Sequence, residues 1–144
     1  MSYKVKDIGL ADQGELNISW AEDHMPVLGI IKQRFEKEKP LKGVTIAASL
    51  HCTKETSVLI KVLQAGGATV ALAGSNPLTT QDDVVAALAK SGTNVYAWRG
   101  QTKEEYYECI NSVLDYKPDL TIDDGCDLVS TIHNERKELL KGLR

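Results

Sequence analysis

The sequence predicts an α/β fold, a parallel sheet with helices on both faces that makes three layers in all. Three observations carry this. Short apolar runs recur after Pro40, each is followed by a segment with helical spacing, and glycine or proline punctuates the joints. At 144 residues the chain has the ordinary size of one domain, so residues 1–144 are taken as a single unit.

The elements follow in order. Two helices are expected first, over 12–23 and 25–38. Pro26 fits the first turn of the second, where a missing N–H costs little. Pro40 lies just past its end, where a helix stops. Val44-Thr45-Ile46-Ala47-Ala48 is a short apolar run suited to a buried strand. Residues 56–64 have helical spacing, with Val58, Leu59, Val62 and Leu63 on one face and Gly66-Gly67 as the stop. Thr69-Val70-Ala71-Leu72 is the second strand. A helix over 81–90 turns Val84, Val85 and Leu88 inward and stops at Gly92. Asn94-Val95-Tyr96-Ala97-Trp98 is the third strand, and 103–115 is a helix with Tyr106, Ile110, Val113 and Leu114 on one face. Pro118 introduces the fourth strand, Leu120-Thr121-Ile122, and a final helix covers part of 128–140.

Composition excludes several classes of function. A net charge of -3, from 17 basic and 20 acidic residues, gives no electrostatic reason to expect a nucleic-acid partner. No apolar run approaches the roughly 20 residues of a membrane span, so no membrane partner is expected. Met1-Ser2-Tyr3-Lys4-Val5-Lys6-Asp7 lacks the apolar core of a signal peptide. Cys52, Cys109 and Cys126 are odd in number and scattered, which reads as free thiols in a reducing cytoplasm. With three histidines and no HxxxH or CxxC, no zinc site is expected.

In a parallel α/β sheet, ligands bind just beyond the carboxyl ends of the strands. The first predicted strand runs into Ser49-Leu50-His51-Cys52-Thr53-Lys54-Glu55-Thr56 and the second into Gly74-Ser75-Asn76-Pro77-Leu78-Thr79-Thr80-Gln81. The third ends at Trp98-Arg99-Gly100, the fourth at Asp123-Asp124-Gly125-Cys126-Asp127. These supply a histidine, hydroxyls, an amide and carboxylates, which suit a polar small molecule with hydroxyls and a basic ring. Each also has a plainer reading. Thr53 or Thr80 could simply cap the following helix, Asp123 and Asp124 could be only a turn, and His51 could be a structural histidine. Trp98 reads as packing, His24 and His133 as ordinary helix residues, and the lysine-rich stretch 32–39 as a solvated helix face. No GxGxxG stands between a strand and a helix, so the fold is expected to be Rossmann-like without the dinucleotide fingerprint.

Five segments together resemble one family, the S-adenosylhomocysteine hydrolases. Ala48-Ser49-Leu50-His51-Cys52-Thr53-Lys54-Glu55-Thr56 is similar to the family's LHMTxET segment. Ser75-Asn76-Pro77-Leu78-Thr79-Thr80-Gln81-Asp82 resembles CNxxSTQD, and Ala97-Trp98-Arg99-Gly100-Gln101-Thr102-Lys103-Glu104-Glu105-Tyr106 resembles AWKGETxEEY. Ile122-Asp123-Asp124-Gly125-Cys126-Asp127-Leu128 resembles LDDGGDL, and Lys6-Asp7-Ile8-Gly9-Leu10-Ala11 the family's start. Cys52, Ser75 and Cys126 depart from the common methionine, cysteine and glycine; all are read as small or volume-tolerant changes. The family's EETTTG segment and its NAD-binding half are expected beyond Arg144, so the chain is read as the substrate-binding part alone.

The resemblance implies reversible hydrolysis of S-adenosyl-L-homocysteine to adenosine and L-homocysteine, through NAD-dependent 3′-oxidation and elimination. It implies His51 as an acid/base at the leaving and entering group, assisted by Asp124. It also implies Thr53 near the adenine edge, Glu55 on the adenine amino group, and Asn76 beside the domain hinge. NAD would serve the full-length enzyme, and none is expected on this chain, which is expected to be inactive alone and cytoplasmic. Expected partners are adenosine or S-adenosylhomocysteine, with a second copy or the missing C-terminal half. The alternatives are a free-standing nucleoside-binding or regulatory module, and a fold kept without any ligand.

Overall fold

The computed structural model describes residues 2–144. Helix α1 (Ala11–Asp23) and helix α2 (Pro26–Glu38) come first, with Pro26 in the first turn of α2 as its fixed φ favours. Lys39 ends α2 in a left-handed conformation, just before Pro40. Strand β1 (Thr45–Leu50), helix α3 (Lys54–Ala65), strand β2 (Thr69–Gly74), helix α4 (Asp82–Lys90) and strand β3 (Asn94–Tyr96) follow. Helix α5 (Lys103–Leu114), strand β4 (Leu120–Asp123) and helix α6 (Asp127–Asn134) complete the regular elements, with a 3-10 turn over Lys137–Lys141. The fold is the expected α/β class, and the predicted elements are all present.

The strands form one parallel sheet in the order β3-β2-β1-β4. Successive side chains of a strand face opposite layers, and β1 shows the consequence. Ile46, Ala48 and Leu50 join Ile60 of α3 and Val85 and Leu88 of α4 in one core. Ala47 joins Tyr106, Ile110 and Val113 of α5 and Leu128 and Ile132 of α6 in the other. Helices therefore cover both faces. Burying both sides accounts for the nearly continuous apolar runs in β1 and β2.

Two features lie outside the predicted pattern. Lys4 pairs in parallel with Tyr96, through Lys4 N–H to Val95 O at 2.9 Å and Ala97 N–H to Lys4 O at 3.1 Å, and so covers the β3 edge. Helix α1 lies against α4 through Gly14, where an added Cβ would fall 1.9 Å from the Asp83 carbonyl oxygen. Neither a single extended residue nor one close contact leaves a periodic signal. Among the described residues no helix is long and apolar enough to cross a membrane.

The connection order decides where a crevice can open. From β1 the chain steps by α3 to β2 and by α4 to β3, along one face. It then returns by α5, on the other face, to β4 on the far side of β1. The loops that leave β1 and β4 consequently turn to opposite faces, and the point where strand order reverses lies between them.

Candidate functional site

That reversal point is where the structure places His51 and Asp124. His51 follows β1 and Asp124 follows β4, in register-paired neighbouring strands. The Asp124 carboxylate accepts the His51 backbone N–H through Oδ2 at 3.2 Å, and the same oxygen lies 3.5 Å from Ser75 Oγ. Asp124 N–H in turn bonds Ser49 O at 3.1 Å, which extends the β1–β4 pairing past the strand end. Both side chains are exposed, and they lie on one rim of the sheet.

The tandem Asp123-Asp124 divides its work. Asp123 accepts Gly125 N–H at 3.2 Å and Cys126 N–H at 3.0 Å through Oδ1, and Val129 N–H at 3.0 Å through Oδ2. It is the turn residue, and through Val129 N–H it ties down one first-turn amide of α6 in the absence of a cap from Cys126. Asp124 is left free of that duty. Cys126 itself has φ 68°, in the left-handed region. This corrects the reading of Cys126 as a merely volume-tolerant change: the position calls for glycine on backbone grounds.

Thr53 caps α3, its hydroxyl accepting Thr56 N–H at 3.5 Å. Lys54 N–H, another first-turn amide, is taken by the Gln81 side chain at 3.0 Å. Glu55 projects from the first turn of α3 and is exposed. Asn76 makes an Asx turn, its Oδ1 accepting Leu78 N–H at 2.8 Å, while its carbonyl accepts Thr79 N–H at 3.2 Å. Thr80 does not cap α4, contrary to the capping alternative. Gln81 holds the cap position, and Thr80 is buried against Gly74 with a hydroxyl that has no hydrogen-bond partner.

The residue that sequence reasoning missed is Thr79. Its Oγ1 lies 2.7 Å from His51 Nδ1, across 28 positions of sequence. The alternation of strands and helices indicated that these two loops share a rim, but not which hydroxyl meets the ring. The β1 and β2 loops are laced further by Ser75 N–H to Leu50 O at 2.9 Å and Gln81 N–H to Cys52 O at 3.0 Å. Below them Tyr106 donates to Asp127 Oδ2 at 3.0 Å and Tyr107 to Asp127 Oδ1 at 3.2 Å, joining the starts of α5 and α6. Burial, then the Asp127 carboxylate, holds the Tyr106 hydroxyl well above the usual phenol range. The Cys52 thiol under the β1 loop is pushed up to about 12 by burial, so it is a packing group and not a nucleophile.

His51 and Asp124 stand exposed on the rim. Two shallow concavities are lined by other residues: one of about 380 Å³ by Lys103, Tyr107, Asp127 and Ser130, and one of about 410 Å³ by Ser2, Tyr96, Ser112 and Tyr116. The chemistry of the strand ends, and not the depth of a hollow, marks the candidate site. His51, Asp124, Thr53, Asn76 and Thr79 lie on the three adjoining loops, and Glu55 stands in the first turn of α3.

Comparison with known proteins bears on this arrangement. Residues 2–142 match the model of the family described as S-adenosyl-L-homocysteine hydrolase. The chain is 57% identical to the S-inosyl-L-homocysteine hydrolase of Methanocaldococcus jannaschii over 141 residues, 98% of this chain and 34% of that protein. It is 58% identical to the adenosylhomocysteinase of Sulfurisphaera tokodaii over 139 residues, 96% of this chain and 34% of that protein. It is 59% identical to the adenosylhomocysteinase of Pyrococcus abyssi over 138 residues, 96% of this chain and 33% of that protein. The chain therefore spans about a third of the length of the curated relatives it matches. With a family match over nearly its whole length, the chain belongs to the S-adenosyl-L-homocysteine hydrolase family.

Proposed function

We propose that this chain is the substrate-binding part of an enzyme that hydrolyses S-adenosyl-L-homocysteine, and that it binds the nucleoside moiety at the β1–β4 crevice. The observation that carries the reading is the pairing of His51 and Asp124 at the reversal point of the sheet, with Asp124 Oδ2 on the His51 N–H. The residues that the family resemblance assigns to the substrate stand at the place where strand order alone would seek a ligand.

In this reading the exposed His51 imidazole takes and returns a proton at the leaving and entering group. Asp124 holds the His51 backbone N–H and so fixes where the imidazole stands on the rim. Glu55 accepts a hydrogen bond from the adenine amino group. Thr53 both caps α3 and borders the base, since a capping oxygen keeps a second lone pair.

A dinucleotide does not fit this chain's helix starts. A pyrophosphate needs free amides at a glycine-rich turn. Here the first amides of α3 are taken by Thr53 and Gln81, and α4 opens on Asp82 and Asp83. NAD is accordingly assigned to polypeptide outside these residues, and no step is drawn through it.

Titration of the chain with adenosine and with inosine tests the reading. Weak binding of adenosine is expected, in the millimolar range or roughly -4 kcal/mol, because His51, Asp124 and Glu55 stand exposed to water. Inosine, which presents a carbonyl where adenine has its amino group, should bind more weakly, and Glu55→Gln should narrow the difference. Adenosine binding that persists unchanged in His51→Ala, Asp124→Ala and Glu55→Ala would place the nucleoside elsewhere. The chain alone, with NAD added, should release no homocysteine from S-adenosylhomocysteine.

A further inference from the structure

We infer that Thr79 sets the tautomer of His51, holding the ring proton on Nδ1 and leaving the Nε2 lone pair as the base at the crevice. The catalytic consequence rests on the function proposed above; the tautomer does not.

The argument is a count of protons. A neutral imidazole has one N–H, and the other nitrogen is an acceptor. His51 Nδ1 and Thr79 Oγ1 are 2.7 Å apart, so one of them donates. The Thr79 hydroxyl has a single proton. Its oxygen also lies 3.2 Å from the Asn76 carbonyl oxygen, which can only accept. With the hydroxyl proton directed to Asn76 O, the lone pair left on Oγ1 faces His51, and Nδ1 must be the donor. The Asn76 carbonyl is held in place by the turn itself, through Asn76 Oδ1 to Leu78 N–H at 2.8 Å and Asn76 O to Thr79 N–H at 3.2 Å.

His51 is thereby fixed from two sides. Asp124 Oδ2 holds its backbone N–H and Thr79 holds its ring. Among the described residues no hydrogen bond reaches Nε2, and the ring is exposed. A proton taken from a bound ligand would arrive on Nε2, and the imidazolium would keep Nδ1–H on Thr79. Thr79 is thus a positioning residue, acting through His51. The assignment is unusual enough to be diagnostic, because an imidazole free in water favours the Nε2–H form.

The chain carries its own standards for the test. His24 Nδ1 lies 2.7 Å from Trp20 O, a carbonyl that can only accept, so His24 marks the Nδ1–H pattern. His133 is exposed on α6 and marks the free-ring pattern. The experiment is long-range proton–nitrogen correlation NMR on the nitrogen-15-labelled chain, about two pH units above the ordinary imidazole pKa of ~6.5. His51→Gln identifies the signals. His51 should show the His24 pattern, Thr79→Val should move it toward the His133 pattern, and Thr79→Ser should restore it.

A His51 ring found as Nε2–H in the unmodified chain would overturn the inference, and this readout does not depend on the Thr79 variants folding. A Thr79→Val ring that stays Nδ1–H would overturn it equally. Nucleoside titration separates the two claims. A chain that binds no adenosine but shows Nδ1–H on His51 removes the functional reading and leaves the tautomer assignment standing.

Discussion

Replacing Cys126 by glycine should stabilise the protein. Cys126 sits at φ 68° and ψ 7° at the start of α6. In that region an L residue crowds its Cβ against the backbone, at about 1–2 kcal/mol. Glycine removes the crowding but loses more backbone freedom on folding, about 0.5–1 kcal/mol. The side chain given up is an exposed thiol that accepts a long hydrogen bond from Ser130 Oγ at 3.9 Å. The net gain is about 0.5–1 kcal/mol, or roughly 2–4 °C in Tm for a chain of this size. Cys126→Ala is the control: it deletes the thiol yet keeps the Cβ, so it should stay within about 0.5 kcal/mol of the parent. Urea and thermal unfolding of the three proteins decide the matter. The expected order is glycine above cysteine, with alanine beside cysteine. A glycine variant no more stable than the alanine variant would refute the backbone argument.

Other outcomes follow from the packing and the caps. Gly14→Ala should cost about 2–3 kcal/mol, because its Cβ would fall 1.9 Å from Asp83 O and 3.0 Å from Ala87 Cβ, forcing α1 off α4; a midpoint equal to the parent's would contradict this. Asp123→Ala should cost about 2 kcal/mol for the loss of three backbone bonds. Asp124→Ala, with bonds of 3.2 and 3.5 Å at an exposed site, should cost less, and the reverse order would undo the division of labour between the two aspartates. In the native protein a thiol reagent at pH 8 should modify Cys126 and spare Cys52 and Cys109, whose thiols burial raises to about 12 and about 11; fast reaction of all three would deny that burial. The folded state keeps a proton on Cys52 that the unfolded chain releases above its ordinary 9.0, so this stabilisation is full below pH 9 and is lost as pH rises toward 12. Urea midpoints should fall over that window, and less steeply in Cys52→Ala.

The sheet was legible because both its faces are buried. A strand covered on two sides must be apolar throughout, as Ile46-Ala47-Ala48 is, and such a run stands out from the amphipathic helices around it. Strand ends were less legible. The runs stop at Ala48 and Leu72, yet β1 continues to Leu50 and β2 to Gly74, since Ser49 and Gly74 pair in register without being strand formers. At the site, residue types showed that a histidine, hydroxyls and carboxylates share a rim. They could not show which of two adjacent aspartates makes the turn, because both have the same side chain and only the backbone path separates Asp123 from Asp124. Nor could they show that Thr79, and not Thr80, meets His51. One position along the β2 loop turns a hydroxyl from the crevice to the core, where Thr80 has no hydrogen-bond partner.

The strand-end loops are held by one another rather than by a ligand, and this bears on what a ligand must do. Lys54 N–H on Gln81, Gln81 N–H on Cys52 O, Ser75 N–H on Leu50 O and His51 N–H on Asp124 are bonds between loops that leave three different strands. Each removes a freedom that binding would otherwise have to remove, at about 0.5–1.5 kcal/mol for an immobilised side chain. Preorganisation of this kind favours geometry over grip. The groups stand in place, but they stand in water, where a charge pair at 4 Å is worth only about 1 kcal/mol. Under the proposed function, weak nucleoside binding with well-ordered loops is the combination expected of so exposed a rim. Covering that rim would exclude water and strengthen each contact without moving His51 or Asp124. The two aspartates, the Asn76 turn and the Thr79 hydroxyl are therefore ordered in advance at the rim where the nucleoside is proposed to bind.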